Sequence, residues 1–314
     1  MDLHTLDIAA FAKGHISQIT AITGLVTFAI TKRKLTPGGI VAGILVATIH
    51  MIHPWPAFFW LLILFFLFGT MVTKIGHARK ASLTQSAAGG HGGEGARTSS
   101  QVFANSGFAS ILILTHAYLL RSTPFISSHI SMTAGPYFPV LQKLLPIGII
   151  AQYAAVAADT FSSELGILSL EQPFMVTAPW KNVPKGTNGG ITVDGLKYGA
   201  LGSALLTLVA SVSLFLAEPK VQVGARSAVL LIVSGLAGSV IDSVLGALVQ
   251  VTVTDKGSGK VVEGHGGQRV LVKGDGSRIQ IGSDLLTNNG VNFVMAALAS
   301  LLAMGVAWEM EIGI

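Results

Sequence analysis

The sequence contains no cysteine, which excludes a disulfide framework and any metal site built on thiolate ligands. Charged residues are also scarce: they make up 11% of the chain, whereas an ordinary soluble domain carries about 25%. Hydrophobic residues make up 51% of the 314 residues, and the mean hydropathy is +0.65. The composition therefore predicts an integral membrane protein.

The N-terminal stretch MDLHTLDIAAFAKGH carries acidic residues and lacks the compact basic-then-apolar layout of a secretory signal. It is also poor in Arg and Ser, unlike a plastid or mitochondrial transit peptide. We therefore expect an endomembrane location, with the endoplasmic reticulum as the first choice. The net charge of +5 is modest. In a membrane protein, the positions of Lys and Arg indicate how the chain is oriented across the membrane. We therefore expect no nucleic-acid partner.

Eight apolar segments are candidates for membrane-spanning helices, each of which needs roughly 20 mostly apolar residues. The second and third are separated only by HPWP, which predicts a tight hairpin. We expect an all-α polytopic membrane protein that forms a single transmembrane domain over residues 1–314, with no convincing internal repeat. The segments are 14–31, 36–53, 55–73, 102–120, 138–158, 196–217, 227–250 and 290–308.

Three long polar segments interrupt the spans, at residues 74–101, 159–197 and 251–289. The first is Gly-rich. The third alternates β-branched and polar residues near 251–284, which is typical of a small β-hairpin unit or of a flexible insertion with some strand character. With eight spans, these segments and residues 32–36 share one side, which holds 15 of the 20 Lys and Arg. The positive-inside rule places that side in the cytoplasm and both termini in the lumen.

Asp242 lies within the apolar stretch LIVSGLAGSVIDSVLGALVQ. A carboxylate inside a membrane costs at least ~2.5–3.5 kcal/mol by insertion scales, so it indicates a functional site. Helical spacing places Ser239 and other small or polar residues on the same stripe. Tight helix packing explains these small residues but not the acid.

The stretch AADTFSSELG, residues 157–166, ends an apolar run with two acids. If the helix continues through it, Asp159 shares a face with Ser163, whereas Glu164 points about 140° away from Asp159. Either the helix breaks near Thr160, or the two acids have different roles. The alternative is a solvated helix end with a capping aspartate.

Further polar clusters lie at the same predicted face. The loop VPKGTNGGIT is not a Walker A motif, but its backbone N–H groups could cradle anions. A basic cluster follows the third span, and amides begin the fourth and eighth spans. The residues of these clusters that we expect to bind substrate or nucleotide are Lys80, Gln101, Asn105, Ser163, Lys185, Gly186, Thr187, Asn188, Gly189, Gly190, Ser239, Asn288 and Asn292.

Carboxylates, amides, lysines and a glycine loop at one membrane face are what a magnesium–polyphosphate site requires. Mg²⁺ takes one or two carboxylates together with phosphate oxygens, and phosphoryl transfer depends on positioning and positive charge. A site embedded in the membrane implies an acceptor with a lipid tail. If that acceptor is already a phosphate monoester, it is largely ionised at neutral pH and needs little deprotonation.

Six motifs carry a family resemblance. They resemble, in this order, the integral membrane family of phytyl-phosphate kinase and transmembrane protein 19: TKIGHARK, QVFANSG, AADTFSSELG, VPKGTNGGIT, GSVIDSVLGALVQ and LLTNNGVNF. The resemblance runs from about residue 20 to 308 and leaves out the stretches 85–97 and 255–284. The resemblance implies a magnesium-dependent kinase that converts a prenyl or phytyl monophosphate to the diphosphate with CTP or ATP.

In that enzyme we expect Asp159, Asp242, Lys74 and Glu164 to be catalytic, with the three acids as metal ligands. Membrane lipids are its neighbours, and a homodimer is a possible assembly. The alternatives are a CTP-dependent nucleotidyltransferase acting on a lipid phosphate, a transporter that uses the intramembrane Asp242, and a non-catalytic scaffold.

Overall fold

The structure, a computed structural model, describes residues 8–87, 95–129, 137–270, 272, 274 and 276–314. Its helices within these ranges are α1 (Ile8–Gly14), α2 (Ile16–Thr31), α3 (Pro37–Met51), α4 (Ala57–Lys74), α5 (His77–Leu83), α6 (Ser99–His129), α7 (Tyr137–Gly166), α8 (Val193–Ala217), α9 (Ala225–Val249) and α10 (Asn288–Glu309).

Six described helices, α4 and α6 to α10, are long and apolar enough to cross a membrane. This confirms a mostly helical polytopic membrane protein. The other two predicted spans correspond to α2 and α3, which have 16 and 15 residues. At 1.5 Å per residue they reach only about 24 Å, which is short of a hydrocarbon core of about 30 Å. The structure therefore supports six of the eight predicted spans by length.

Helix α7 is the central helix, and α4, α6, α8, α9 and α10 all pack against it. Its middle is rich in alanine, which lets its neighbours approach closely. A Cβ added at Gly202 of α8 would lie 2.7 Å from the Ala157 carbonyl oxygen, and one at Gly238 of α9 would lie 2.5 Å from the Ala155 Cβ. This close packing fixes the position of the C-terminal end of α7, where Asp159 and Glu164 lie.

Helices α3 and α4 form the expected hairpin around the HPWP turn, and buried histidines tie it to the core. The Tyr153 hydroxyl lies 2.6 Å from His50 Nε2, and His53 Nε2 lies 3.0 Å from His116 Nδ1. These pairs join α3, the turn, α6 and α7. Buried polar groups in a helix bundle need such partners because lipid offers none.

The polar segments between the spans contain short strands. These are β1 (Gln85–Ser86), β2 (Phe174–Met175), β3 (Ala178–Asn182), β4 (Gly190–Ile191), β5 (Thr252–Asp255), β6 (Val262–Glu263) and β7 (Arg278–Ile281). Strands β2, β3 and β4 form a small sheet in the order β3-β2-β4.

Strand character is present near 251–284, but the arrangement is not a simple hairpin. Strand β5 pairs antiparallel with β7, while β6 lies between them in sequence and pairs in parallel with β1 of the first polar segment. The segments therefore interlock at one end of the bundle. We call the described residues of 75–98, 167–192 and 250–287 the polar cap.

Candidate functional site

A cavity of about 420 Å³ lies between the polar cap and the ends of α4, α6, α7, α9 and α10. Its volume is typical of a small-molecule site. The predicted site residues that line it are Lys80, Gln101, Asn105, Asp159, Ser163, Glu164, Lys185, Gly186, Thr187, Asn188, Gly189, Gly190, Asp242, Asn288 and Asn292. Lys74 and Ser239 do not line it.

Asp159 on α7 and Asp242 on α9 form the acidic part of the cavity wall. Both are half-buried, and the two carboxyls are close enough for the charge of Asp159 to act on Asp242. Ser239, one helical turn before Asp242, is buried and lies near the Asp159 carboxyl. Ser239 therefore lies behind the cavity wall, next to the acidic pair.

Asn292 on α10 holds the second aspartate. With the amide in the orientation that its neighbours require, its nitrogen donates to Asp242 Oδ2 at 3.1 Å and to the Asn288 carbonyl oxygen at 2.9 Å. Three helices, α7, α9 and α10, thus position the pair of carboxylates.

The two aspartates fit a divalent cation that is shared with a phosphate ligand. In the described part of the chain, no Lys or Arg forms an ion pair with either carboxylate. Two facing carboxylates repel each other unless a cation or a shared proton lies between them. The described residues contain no group of three or more His, Asp or Glu side chains placed to hold a metal. Mg²⁺ is suited to this donor set because it completes its coordination with phosphate and water oxygens.

Glu164 is separated from this pair. Helix α7 continues unbroken past Thr160, so the alternative of two different roles is the one that the structure supports. The Glu164 carboxylate forms an ion pair with the buried Lys80 and accepts a hydrogen bond from the Thr73 hydroxyl at 2.9 Å. Lys80 also donates to the carbonyl oxygen of Thr73 at 2.7 Å. The charge of Glu164 is thus already neutralised by protein, and the geometry gives it and Lys80 a role in joining α4, α5 and α7.

Lys74, which we expected to be catalytic, lies outside the cavity. It is the last residue of α4 and is exposed, and its Nζ lies 5.9 Å from the centre of the Phe28 ring on α2. The preceding Thr73 lines the cavity instead. The last turn of α4 directs the Thr73 side chain toward the cavity and the Lys74 side chain toward α2. The cluster of basic residues after α4 does not show this direction.

The glycine-rich loop at 186–190 packs directly on α9. Gly186 and Gly189 have φ values of +85° and +79°, a region that favours glycine. A Cβ added at Gly189 would lie 2.5 Å from the Ala247 Cβ. Asn188 fixes the loop to the start of β5, because its Nδ2 donates to the Val251 carbonyl oxygen at 2.8 Å. The loop therefore has a defined shape, with its glycines facing the cavity.

Lys185 precedes this loop and is tied to the chain just beyond α7. Its Nζ donates to the carbonyl oxygen of Ile167 at 3.1 Å and to that of Ser169. Partial burial, and secondly the charge of Arg79, lower the pKa of Lys185. The ammonium group is thus held at the cavity wall by carbonyl oxygens and not by an acid.

Gln101 and Asn105, near the start of α6, line the cavity and also form hydrogen bonds that hold the helix in place. Gln101 Oε1 accepts from the Thr98 backbone N–H at 2.9 Å, and the Gln101 N–H donates back to the Thr98 hydroxyl at 3.4 Å. This is a capping box. The backbone carbonyl oxygen of Asn105 accepts a hydrogen bond from Gln152 Nε2 at 2.9 Å, which joins α6 to α7.

Asn288 and Ser163 are also held by their neighbours. Asn288 Oδ1 accepts from Gln250 Nε2 at 3.3 Å, which links α10 to the end of α9. The residue that caps α10 is Thr287, whose hydroxyl accepts from the Gly290 N–H at 3.2 Å. The Ser163 hydroxyl donates to the Asp159 carbonyl oxygen at 2.8 Å within α7.

Arg97 and Thr73 line the cavity but were not among the predicted site residues. Arg97 precedes α6, and its backbone is anchored by the Thr36 N–H, which donates to the Arg97 carbonyl oxygen at 3.0 Å. In the sequence Arg97 resembles any basic residue at a membrane surface. Its position four residues before Gln101 was the one signal that pointed to the site.

The chain matches the family model described as "Integral membrane protein DUF92" over residues 20–300. It is 37% identical to Protein PGR of Arabidopsis thaliana over 287 residues. The aligned region covers 90% of this chain and 92% of that protein. It is 25% identical over 218 residues to Protein VTE6, chloroplastic, of the same plant, covering 69% of this chain and 56% of that protein.

A third relative is the uncharacterized membrane protein MJ0933 of Methanocaldococcus jannaschii, with 40% identity over 104 residues, or 33% of this chain and 40% of that protein. None of these names states a reaction. No solved structure matches the chain significantly. The extent of the family match and the near full-length similarity to Protein PGR show that the chain belongs to the DUF92 integral membrane family.

Proposed function

We propose that the protein is a membrane-embedded enzyme that transfers the terminal phosphoryl group of a nucleoside triphosphate to a lipid monophosphate. The observation that carries this proposal is the meeting of two facing aspartates, a glycine-rich loop and Lys185 in one cavity at the end of an apolar helix bundle. The resemblance of six motifs to the phytyl-phosphate kinase family supports it and suggests a prenyl or phytyl tail.

Each part of the cavity has a role in this reaction. Asp159 and Asp242 would hold Mg²⁺, which supplies positive charge against the phosphate oxygens. The backbone N–H groups of Gly186 and Gly189 and the Lys185 ammonium would bind the polyphosphate. The other three N–H groups of the loop already donate within the protein, to the Pro184 and Thr187 carbonyl oxygens and to the Thr252 hydroxyl. Asn292 keeps Asp242 turned toward Asp159. No strong base is required, because a phosphate monoester has a second pKa of about 6 and is largely ionised at neutral pH.

The chemical step is a displacement at the γ-phosphorus. An oxygen of the lipid phosphate forms a bond to this phosphorus, and the bond between the phosphorus and the β–γ bridging oxygen breaks. The products are the lipid diphosphate and a nucleoside diphosphate. The protein contributes by holding both phosphates in line and by replacing water around them with fixed donors.

The compartment is part of the proposal. The positive-inside rule favours a cytoplasmic polar cap, as in a protein of the endoplasmic reticulum membrane. The chloroplastic name of one relative makes a plastid membrane the competing location. Imaging of the tagged full chain in plant cells distinguishes the two.

The direct test uses purified protein in nanodiscs with Mg²⁺, CTP or ATP, and farnesyl, geranylgeranyl or phytyl monophosphate. We expect the lipid diphosphate together with nucleoside diphosphate, both measured by mass spectrometry. Release of pyrophosphate with a nucleotide-linked lipid would instead identify a nucleotidyltransferase. The absence of a lipid product from every pairing would refute the proposal.

The matched variants are Asp159→Asn and Asp242→Asn, which remove one charge each while keeping the side-chain shape. We expect both to lose activity. Glu309→Gln is the control, because Glu309 is exposed at the last residue of α10, away from the cavity. Wild-type activity in Asp159→Asn would contradict the assignment of the acidic pair.

A further inference from the structure

An apolar groove of about 100 Å³ lies beside the polar cavity, between α2, α3, α4 and α6. Its walls are mainly aliphatic and aromatic, with Leu25 and Leu62 among them. Three polar residues line both spaces: Arg97, Gln101 and Asn105. The groove and the cavity therefore meet at these side chains.

Arg97 is built into this junction. A Cβ added at Gly69 of α4 would lie 3.2 Å from Arg97 Nη2, so the glycine leaves the space that the guanidinium uses. The guanidinium also lies 6.0 Å from the centre of the Phe66 ring. Its backbone is held on both sides, since the Arg97 N–H donates to the Lys34 carbonyl oxygen at 3.0 Å and the Thr36 N–H donates to the Arg97 carbonyl oxygen.

The charge of Arg97 is not balanced by an acid. Within the described ranges, no Asp or Glu forms an ion pair with its guanidinium, which is half-buried beside apolar side chains. A guanidinium presents a planar fork that matches two oxygens of a phosphate. An anion with an apolar tail is the ligand that complements both the cation and the groove that leads away from it.

We propose that the groove holds the hydrocarbon chain of a single-chain lipid phosphate and that Arg97 binds its phosphate at the mouth of the polar cavity. This inference rests on the proposed function, since it assigns the acceptor side of the same site. One groove opens at the guanidinium, so one chain is accommodated. The acceptor would reach the site from the bilayer, along the groove between α2, α3, α4 and α6. The nucleotide would reach Asp159 and Asp242 from the side of the polar cap.

The first test is equilibrium binding of radiolabelled farnesyl monophosphate to the purified protein in nanodiscs, without nucleotide. We expect Arg97→Gln to weaken binding by about 10- to 100-fold, because a charge-assisted hydrogen bond to the phosphate is lost. Arg97→Lys keeps the charge without the fork and should bind with intermediate affinity. Arg226→Gln is the control, since Arg226 is exposed in the first turn of α9 and lines neither space.

The second test fills the groove. Gly43 of α3 lines it, and a Cβ added there meets only the Leu35 side chain, at 3.8 Å. Gly43→Phe should therefore weaken binding of farnesyl monophosphate and spare dimethylallyl monophosphate, whose tail is much shorter. Gly24→Phe is the matched control, because a Cβ at Gly24 meets no atom within 4 Å. Farnesol should bind weakly, and its binding should not depend on Arg97.

The outcomes separate this inference from the proposed function. If binding depends on Arg97 and Gly43 but no lipid diphosphate forms with any nucleotide, the acceptor groove stands and the kinase proposal fails. If the wild type forms the diphosphate while Arg97→Gln and Gly43→Phe keep wild-type affinity, the groove is overturned and the kinase proposal stands. Size-exclusion profiles identify misfolded variants. An intermediate affinity in Arg97→Lys would show that the weaker binding of Arg97→Gln comes from the lost phosphate contact and not from misfolding.

Discussion

Asp242 on α9 is held toward Asp159 on α7 by Asn292 on α10, which donates to its Oδ2 at 3.1 Å. Each of the three side chains comes from a different helix. The distance between the two carboxylates therefore depends on how these helices pack, and the close approach of α9 to α7 at Gly238 and Ala155 keeps it constant. A change in any of the three helices should therefore alter the proposed Mg²⁺ site.

Removing the donor to Asp242 should weaken the proposed metal site. In Asn292→Ala we expect the Mg²⁺ concentration required for half-maximal activity to rise about 10-fold, as for other partners of metal ligands. The measurement is lipid diphosphate formation against Mg²⁺ concentration. Asn182→Ala, at an exposed position of β3, is the control. An unchanged Mg²⁺ requirement in Asn292→Ala would show that Asn292 does not position a metal ligand.

The ion pair between Lys80 and Glu164 should stabilise the fold without holding the metal. Lys80→Met leaves the Glu164 carboxylate without its cation, and we expect a loss of about 1–3 kcal/mol in the free energy of unfolding. Thermal unfolding in detergent measures it. The double variant Lys80→Met/Glu164→Gln should recover part of this loss, because no charge is then left unpaired.

The same pair tests the predicted role of Glu164 as a metal ligand. Glu164→Gln should leave the Mg²⁺ requirement unchanged, because the geometry assigns the carboxylate to Lys80 and Thr73. A large rise in that requirement, with normal thermal stability, would restore the metal-ligand interpretation.

Lys185 should set an alkaline limit on activity. Its pKa is lowered by burial and by Arg79, so the ammonium charge is lost at a lower pH than for an ordinary lysine, whose pKa is about 10.4. Below the lowered pKa the cation is present and binds phosphate; as the pH rises through that pKa, kcat/KM for the nucleotide should fall. Lys185→Arg keeps its charge and should extend the plateau to higher pH. An alkaline limb that persists in Lys185→Arg would assign the titration to another group.

The glycine-rich loop should not tolerate a side chain at its contact with α9. In Gly189→Ala the new methyl group would lie 2.5 Å from the Ala247 Cβ at a φ of +79°. We expect a rise of at least about 10-fold in the KM for the nucleotide, since even the backbone conformation alone costs about 1–2 kcal/mol for a residue with a Cβ. Gly305→Ala is the control, because a Cβ there meets no atom within 4 Å. Wild-type kinetics in Gly189→Ala would show that the loop does not bind the nucleotide.

The sequence was most informative where one residue conflicted with its surroundings. Asp242 stood out as an acid in an apolar span, and helical spacing separated Asp159 from Glu164; both expectations agree with where the structure places these side chains. The positions of apolar runs also located the six long helices. These features are local, so periodicity and composition are sufficient to find them.

Side-chain direction at helix ends was not predictable in the same way. Lys74 and Thr73 are neighbours, and only the packing of α4 on α2 and α7 decides which of them faces the cavity. Arg97 was missed because a basic residue beside a span is usually a membrane-surface anchor. The position of its guanidinium depends on Gly69 and Phe66, which belong to another helix.

The parallel pairing of β1 with β6 has a consequence for how the protein is made. Ribosomes deliver the chain from its N-terminus, so Gln85 and Ser86 emerge long before their partners Val262 and Glu263. Helices α6 to α9 are synthesised in the interval. Strand β1 therefore has no strand partner until β6 has been synthesised. The cavity can form completely only when nearly the whole polypeptide has been made.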